Sequence, residues 1–534
     1  MTGTADLYRS YLDARWHFDP ADATAAGVAA YDHRLADFSA DAVRNHLAAL
    51  KAIAGAAETL EVEEQQEEID RTAFLDEVRI TIARFEKEKP QVHNPGFWLS
   101  HLYDALHATL RREDLSPAAR TASLTGRLQA IPGFLKAARE TLSEPPRIFL
   151  DTATQLAEAG PRLLADAGAM ARAGAEGDGM MLDAVLAEAE SALSRFALAL
   201  RGELRAHHDD LSFAIGEEQF NRRLHHEHAL MAGAPELYRY GLHLAGEVEA
   251  EVTALARQLN PTVSWKTVVE RLRVQAPVAG DVVRHFHDAC ERARHFLLAR
   301  DLVPIPDGRL DVLETPVFLR PLMPFAAYVP PTIYGAERVG RFFVTPPAPG
   351  EAAAAGYSLH EIGATAVHEA WPGHHLQLVT ARRLPSDVRR VSWTPVNVEG
   401  WALYCEELMA EQGFYASLEE RLFQRVHLLW RAVRIVLDVG LHTRGMTPEQ
   451  AVDMLVDRVA MDRGRATAEV SRYCAWPTYQ LCYAVGRREF LSLREAWRAQ
   501  AGPSAPLRQF HEAVLQYGGL PVSLIRWGMG LDEP

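Results

Sequence analysis

From Leu7 to about Arg300 the apolar residues return every third or fourth position, as in Leu182, Val185, Leu186, Ala189, Leu193 and Phe196. That period lines one face of a helix. It predicts a stack of helices over residues 1–300, read as a helical lobe. Helix ends are expected at Ile131-Pro132-Gly133, Glu144-Pro145-Pro146 and Asn260-Pro261-Thr262, and no repeat of fixed period is visible. The pattern changes between Asp301 and Gly350, where VPIPDG, ETPVFLRPLMPFAAYVPPTIYG and RFFVTPPAPG concentrate proline, β-branched and aromatic residues. Short strands are expected there. Two extended pieces, near Phe325 to Val329 and Arg341 to Thr345, are placed to pair and to offer an edge to an extended substrate; the alternative is an irregular connection. Helices resume at Leu359, with Pro448 at a helix start after Met446-Thr447. The fold class is therefore mostly α with a small β element, and residues 301–534 are expected to form the second lobe of one continuous domain.

A chain of 534 residues can bury a large core, as one two-lobed domain or two to four smaller ones. With 71 acidic against 56 basic residues it has no basic excess for nucleic-acid phosphates, and it contains no apolar run long enough to span a membrane. The opening segment MTGTADLYRSYLDARWHFDP has acidic residues and no apolar stretch of the signal-peptide kind, which makes the cytoplasm the expected location. Cys290, Cys405, Cys474 and Cys482 show no CxxC spacing and read as reduced, mostly buried thiols. The run Arg222-Arg223-Leu224-His225-His226-Glu227-His228 cannot turn three histidines toward one ion on a helix, so it reads as a solvated face.

Chemistry concentrates in the last third. Ala364-Thr365-Ala366-Val367-His368-Glu369-Ala370-Trp371-Pro372-Gly373-His374-His375 opens as a zinc-protease helix does, with a histidine to bind metal and a glutamate to activate water. Pro372 then occupies the place of the usual second histidine. On an unbroken helix His375 would lie about 10 Å further along the axis, too far to share an ion with His368. If Pro372 and Gly373 break or bulge the helix, His374 becomes the second ligand, with His375 as its rival. The third protein ligand is expected to be Glu399, in Val398-Glu399-Gly400-Trp401-Ala402-Leu403-Tyr404. Glu406, two helical turns on, shares its face and is placed to orient a metal-bound histidine.

These residues resemble the bacterial domain-of-unknown-function family number 885, whose signature is an HExxPGHH segment followed by an EGWALY helix. The likeness covers nearly the whole chain, including Tyr11-Leu12, Asp19-Pro20, Ala23-Thr24 and Gly27 near the start and Glu469-Val470-Ser471-Arg472-Tyr473 near the end. The arrangement also resembles the thimet-oligopeptidase-like metallopeptidases, in which a downstream glutamate is the third zinc ligand. The resemblance implies a large helical two-lobed fold with a deep cleft and a substrate-aligning edge strand. It also singles out Arg434, Asp438 and His442, which share one helical face, and Tyr483 as a donor to an oxyanion. An alternative for Arg434 and Asp438 is a buried ion pair tying helices together, and Tyr483 can equally be a core tyrosine. Thr478-Tyr479-Gln480 departs from the Gly-Gln-Ala type of sequence common in relatives.

The expected chemistry is hydrolysis of a peptide or amide bond, carboxypeptidase- or oligopeptidase-like, with one Zn2+ per chain on His368, His374 and Glu399 and with Glu369 as base. Tyr483 or His442 would steady the oxyanion. Arg320 or Arg472 would hold a substrate carboxylate, with Arg434 and Tyr473 as further substrate contacts. The partners expected are a peptide or small amide substrate, with no nucleic acid and no membrane, and a homodimer is compatible with the sequence. Two alternatives stand: a dedicated amidase acting on a small biosynthetic or detoxification intermediate, and a non-catalytic helical binding protein with a structural metal.

Overall fold

The computed structural model describes residues 3–174, 180–277, 279–317, 320, 323, 325–335, 338–347 and 357–531. The fold is mostly α, with one three-stranded sheet among the described residues. The chain packs as two units, Met1–Phe213 with Thr332–Glu337, and Ala214–Pro331 with Arg338–Pro534. Among the described residues no helix is long and apolar enough to cross a membrane.

In the first unit the helices Pro95–Leu110, Pro117–Thr141, Arg147–Ala173 and Met180–Gly202 pack on one another. Met180–Gly202 buries Leu182, Leu186, Ala189, Leu193 and Phe196 of the stripe that its period predicts, and leaves Val185 half-buried. The helix end expected at Pro132 is not there: Pro117–Thr141 runs straight through it. An interior proline costs about 3 kcal/mol. Leu128, Ile131, Phe134 and Leu135 are buried on either side, and each contributes roughly 1.5–3 kcal/mol by leaving water, so packing outweighs the local break. The other two ends are as expected. Glu144-Pro145-Pro146 joins two helices, and Asn260 closes Ala234–Leu259.

The second unit holds the sheet and the sequence motifs. Strands β1 (Arg309–Glu314), β2 (Ala326–Val329) and β3 (Val339–Val344) lie in the order β1-β3-β2. β2 pairs antiparallel with β3, from Ala326 opposite Val344 to Val329 opposite Arg341, the pairing expected of those two extended pieces. β1 joins β3 in parallel, leaving β2 at an edge. Pro448 starts a helix whose capping residue, Thr447, accepts the Gln450 N–H.

Two helix pairs pack tightly in this unit. Ala234–Leu259 lies along Leu418–Thr443, and Pro395–Glu411 crosses Cys482–Ala501. The second crossing is unusually close. A Cβ on Gly486 would sit 2.1 Å from the Val396 carbonyl oxygen and 2.5 Å from the Gly400 Cα, so only glycine lets the two backbones touch. Trp401 and Phe490 fill the space beside the contact, their rings 5.6 Å apart.

Candidate metal centre

The helix Ile362–Glu369 delivers His368 and Glu369 in its last turn and then stops. Ala370 to Gly373 fold back on that turn, with a cis bond between Trp371 and Pro372, and a new helix, His374–Ala381, begins at His374. Gly373 makes the reversal possible, since a Cβ there would lie 1.9 Å from the His368 carbonyl oxygen. Its N–H donates to the Val367 carbonyl at 3.0 Å. The Pro-Gly insertion thus breaks the helix and returns His374 to His368, their rings 4.8 Å apart. His375 turns elsewhere. Its Nδ1 lies 3.0 Å from the Tyr328 hydroxyl, its ring stands edge-on to Trp371, and burial lowers its pKa to about 4.

Glu399 comes from Pro395–Glu411, placed by the glycine crossing. Its Oε2 lies 3.5 Å from the Nε2 atoms of both His368 and His374. Its Oε1 accepts a 2.6 Å hydrogen bond from the Tyr479 hydroxyl. Glu406 on the same helix sits 2.8 Å from the other nitrogen of His368, Nδ1. Zinc bonds to nitrogen and oxygen are about 2.0–2.2 Å, so tetrahedral ligand atoms stand roughly 3.3–3.6 Å apart, and the observed spacings fit one ion. Two imidazoles and a carboxylate are also a donor set that zinc favours.

Glu369 is close as well. His368, Glu369 and His374 offer ligand atoms that all lie within 4.8 Å of one another, so these three could also hold a metal. Glu399 is the nearer carboxylate, its Oε2 3.5 Å from each Nε2, whereas the Oε2 of Glu369 accepts the Tyr328 N–H of the edge strand at 3.0 Å. We therefore take Glu399 as the better-placed carboxylate.

The electrostatics are those of a site short of positive charge. Burial favours neutral His368, but hydrogen bonds to Glu399 and Glu406 reverse this and raise its pKa to about 10. Burial would raise the pKa of Glu399, yet its hydrogen bonds to His368 and His374 hold it well below the usual carboxylate range. Such a site can exchange a proton for a metal ion.

The remaining candidates fall into three groups. Tyr483 is at the centre, its ring 6.3 Å from that of His368 and nearly parallel to it. Arg434, Arg472 and Tyr473 form a network around Glu469: Arg434 donates to the Tyr473 hydroxyl at 2.8 Å and to Glu469 at 3.1 Å, and Arg472 pairs with Glu469 at 2.5 Å. Arg320 is turned to Glu314 and the Thr315 carbonyl. The shared face of Arg434, Asp438 and His442 divides in its contacts. The Nε2 of His442 lies 3.0 Å from the Tyr473 carbonyl oxygen. Asp438 accepts the N–H groups of Thr478 and Leu481 at 3.0 and 3.1 Å. Burial pushes the Asp438 pKa up to about 7 against those hydrogen bonds. Asp438 thereby fixes the turn that carries Tyr479 to Glu399.

Sequence reasoning missed Tyr479 and Tyr328 as partners of the two glutamates, and it missed Arg431, whose guanidinium lies over the Tyr483 ring at 5.8 Å. None has a local signature, because each meets its partner only through the tertiary fold. The solvated reading of the Arg222 to His228 run fails for His228. That residue lies beyond the helix Gly216–His226, is 1% exposed, and reaches the Thr478 hydroxyl at 3.2 Å.

Residues 20–529 match the family described as "Bacterial protein of unknown function (DUF885)". No curated protein matches the sequence significantly. Among solved structures, a "putative lipoprotein of unknown function" from Shewanella oneidensis is 22% identical, with 99% of this chain and 100% of that one covered and a TM-score of 0.79. A "putative lipoprotein" from Colwellia psychrerythraea is 17% identical, with 100% of both chains covered and a TM-score of 0.82. At these identities the likeness is one of fold. A "putative oligoendopeptidase F" from Bacillus anthracis, 11% identical over 99% of this chain and 93% of that one, superposes with a TM-score of 0.30, too poorly to argue a shared fold.

Proposed function

The chain belongs to the bacterial family of unknown function DUF885, and from the centre it carries we propose a zinc-dependent hydrolase that cleaves a peptide or amide bond. The observation that carries the reading is the convergence of His368 Nε2, His374 Nε2 and Glu399 Oε2, with the Glu399 oxygen 3.5 Å from each nitrogen. Zinc held by these three residues would supply Lewis acidity, polarising the scissile carbonyl and making water acidic enough to lose a proton near neutral pH.

The chain's own groups do the rest. Glu406 takes the Nδ1 proton of His368 in a hydrogen bond and so leaves Nε2 free to bind metal. Tyr479 holds Glu399 by its outer oxygen. Glu369 accepts the proton of the attacking water and returns it to the leaving nitrogen. The Tyr328 N–H, donated from edge strand β2, aims the Glu369 carboxylate, and that strand lies where an extended substrate would align. Tyr483, beside His368, is the donor for the developing oxyanion, whereas His442 is engaged with a backbone carbonyl.

The test compares the native chain with Glu369→Gln in metal content and in release of amino groups from a mixed peptide library. One zinc per chain, with cleavage lost in the variant although metal is retained, is the expected result. Metal without cleavage of any peptide points to a dedicated small-molecule amidase. Absence of metal from protein prepared without chelator overturns the reading.

A further inference from the structure

The arginines around the centre are paired with carboxylates. Arg425 and Arg487 meet Glu407 at 2.8 and 2.9 Å, Arg494 meets Glu411 at 2.7 Å, and Arg434 and Arg472 share Glu469. Two arginines against Trp430 differ: Arg465 is exposed, and Arg431 is half-buried. Among the described residues no carboxylate lies within ion-pair distance of Arg431. Its guanidinium rests over the rings of Trp430 at 4.6 Å and Tyr483 at 5.8 Å, Nη1 donates weakly to the His427 carbonyl at 3.4 Å, and Nε is buried without a hydrogen-bond partner. The half-buried guanidinium feels Glu406 and Glu399 only through space, and a ligand carboxylate would supply the direct partner that it lacks. Tyr483 is the common neighbour of Arg431 and His368, so this guanidinium stands one aromatic ring from the histidine and glutamate cluster.

We infer that Arg431 receives the free carboxylate of the substrate, so that the bond cut is the amide on the nitrogen of a residue whose α-carboxylate is unblocked. The inference rests on the hydrolase reading and narrows it. A planar guanidinium matches a carboxylate with two parallel hydrogen bonds, and its aromatic neighbours fix the plane of the fork. The shared chemistry admits two sources, the C-terminal residue of a peptide and the amino acid of an N-acyl amino acid. Both carry the carboxylate close beyond the scissile nitrogen. Arg320 and Arg472, expected from sequence to bind this group, already hold Glu314 and Glu469.

The experiment uses zinc-loaded full-length protein in two backgrounds. In Glu369→Gln, calorimetry compares tripeptides ending in a free acid with the same tripeptides ending in an amide, alongside N-benzoyl amino acids and their amides. The free acids bind about 30- to 100-fold more tightly, and Arg431→Gln added to this background removes the difference while zinc content stays at the parental level. Arg431→Lys restores part of it. In the active background, Arg431→Gln raises KM for free acids by a much larger factor than for amidated substrates. Preference for peptides over benzoyl amino acids, or the reverse, identifies the source of the carboxylate. Equal binding of acids and amides, equal loss of both in Arg431→Gln, or loss of zinc from that variant overturns the inference. Acid-selective binding with no hydrolysis by the active chain retains the carboxylate site and refutes the hydrolase reading instead.

Discussion

Glu406 is the residue whose removal most directly tests how the centre is held. It is 1% exposed and 2.8 Å from His368 Nδ1. A hydrogen bond to a charged group contributes about 1.5–3 kcal/mol, and a neutral one about 0.5–1.5. Glu406→Gln keeps an acceptor and loses the charge, so zinc binding should weaken by about 1–2 kcal/mol, roughly 5- to 30-fold. Glu406→Ala leaves the Nδ1 proton buried without a partner, and the loss should reach about 2–3 kcal/mol, near 30- to 150-fold. Together the two ranges span the 10- to 100-fold usual for groups that orient a metal ligand. The assay is competition for zinc against a chromogenic chelator at constant pH, with circular dichroism of the metal-free variants to exclude unfolding. If both variants bind zinc as tightly as the native chain while remaining folded, Glu406 does not orient His368 and the proposed ligand set is wrong.

Three further outcomes follow from the same geometry. Gly486→Ala drives a Cβ into the Val396 carbonyl and the Gly400 backbone, so the two helices must part at a cost of about 3 kcal/mol or more; an unchanged denaturation midpoint would refute the glycine contact as the determinant of Glu399 placement. Asp438→Ala strands the buried N–H groups of Thr478 and Leu481, a loss of about 2–4 kcal/mol in urea titration, with weaker zinc retention because Tyr479 loses its support; Asp438→Asn should recover part of both. Burial lowers the pKa values of His46, His107 and His511 to about 4. They are neutral in the fold and protonate on unfolding below about pH 6.5, so their contribution is complete above that pH and is lost as pH falls toward 4, by up to roughly 3 kcal/mol each. Melting temperatures that hold steady or rise from pH 6.5 to 4 would contradict this.

What the sequence made legible was local. Pro372 and Gly373 announced the break after Glu369, and the seven-residue step from Glu399 to Glu406 announced a shared helix face. The contrast between residues 1–300 and 301–350 announced where strands could form. What stayed hidden depended on distant partners. Nothing near Tyr479 says that its hydroxyl meets a glutamate 80 positions earlier, and nothing near Tyr328 says that its N–H meets Glu369. Pro132 misled because its cost is written in one residue while the compensating packing comes from other helices. His228 misled because the polar run around it belongs to a helix that ends before it does. Helical period correctly grouped Arg434, Asp438 and His442, but period cannot say what a face will meet.

Charge separates the catalytic reading from a structural-metal one. Glu407, Glu411 and Glu469 are each neutralised by arginine. Glu399 and Glu406 are met by imidazole and phenol, and Glu369 by a backbone N–H. A divalent cation on His368, His374 and Glu399 would offset these carboxylates more directly than Arg431, which forms no ion pair with them. A purely structural site would complete it with a fourth protein ligand. Glu369 has the charge and the proximity to be that ligand, yet its carboxylate is aimed by strand β2, the edge along which a substrate would lie. On the proposed reading, an acid beside the metal-binding residues and tied to that strand would be positioned to move a proton between metal-bound water and substrate.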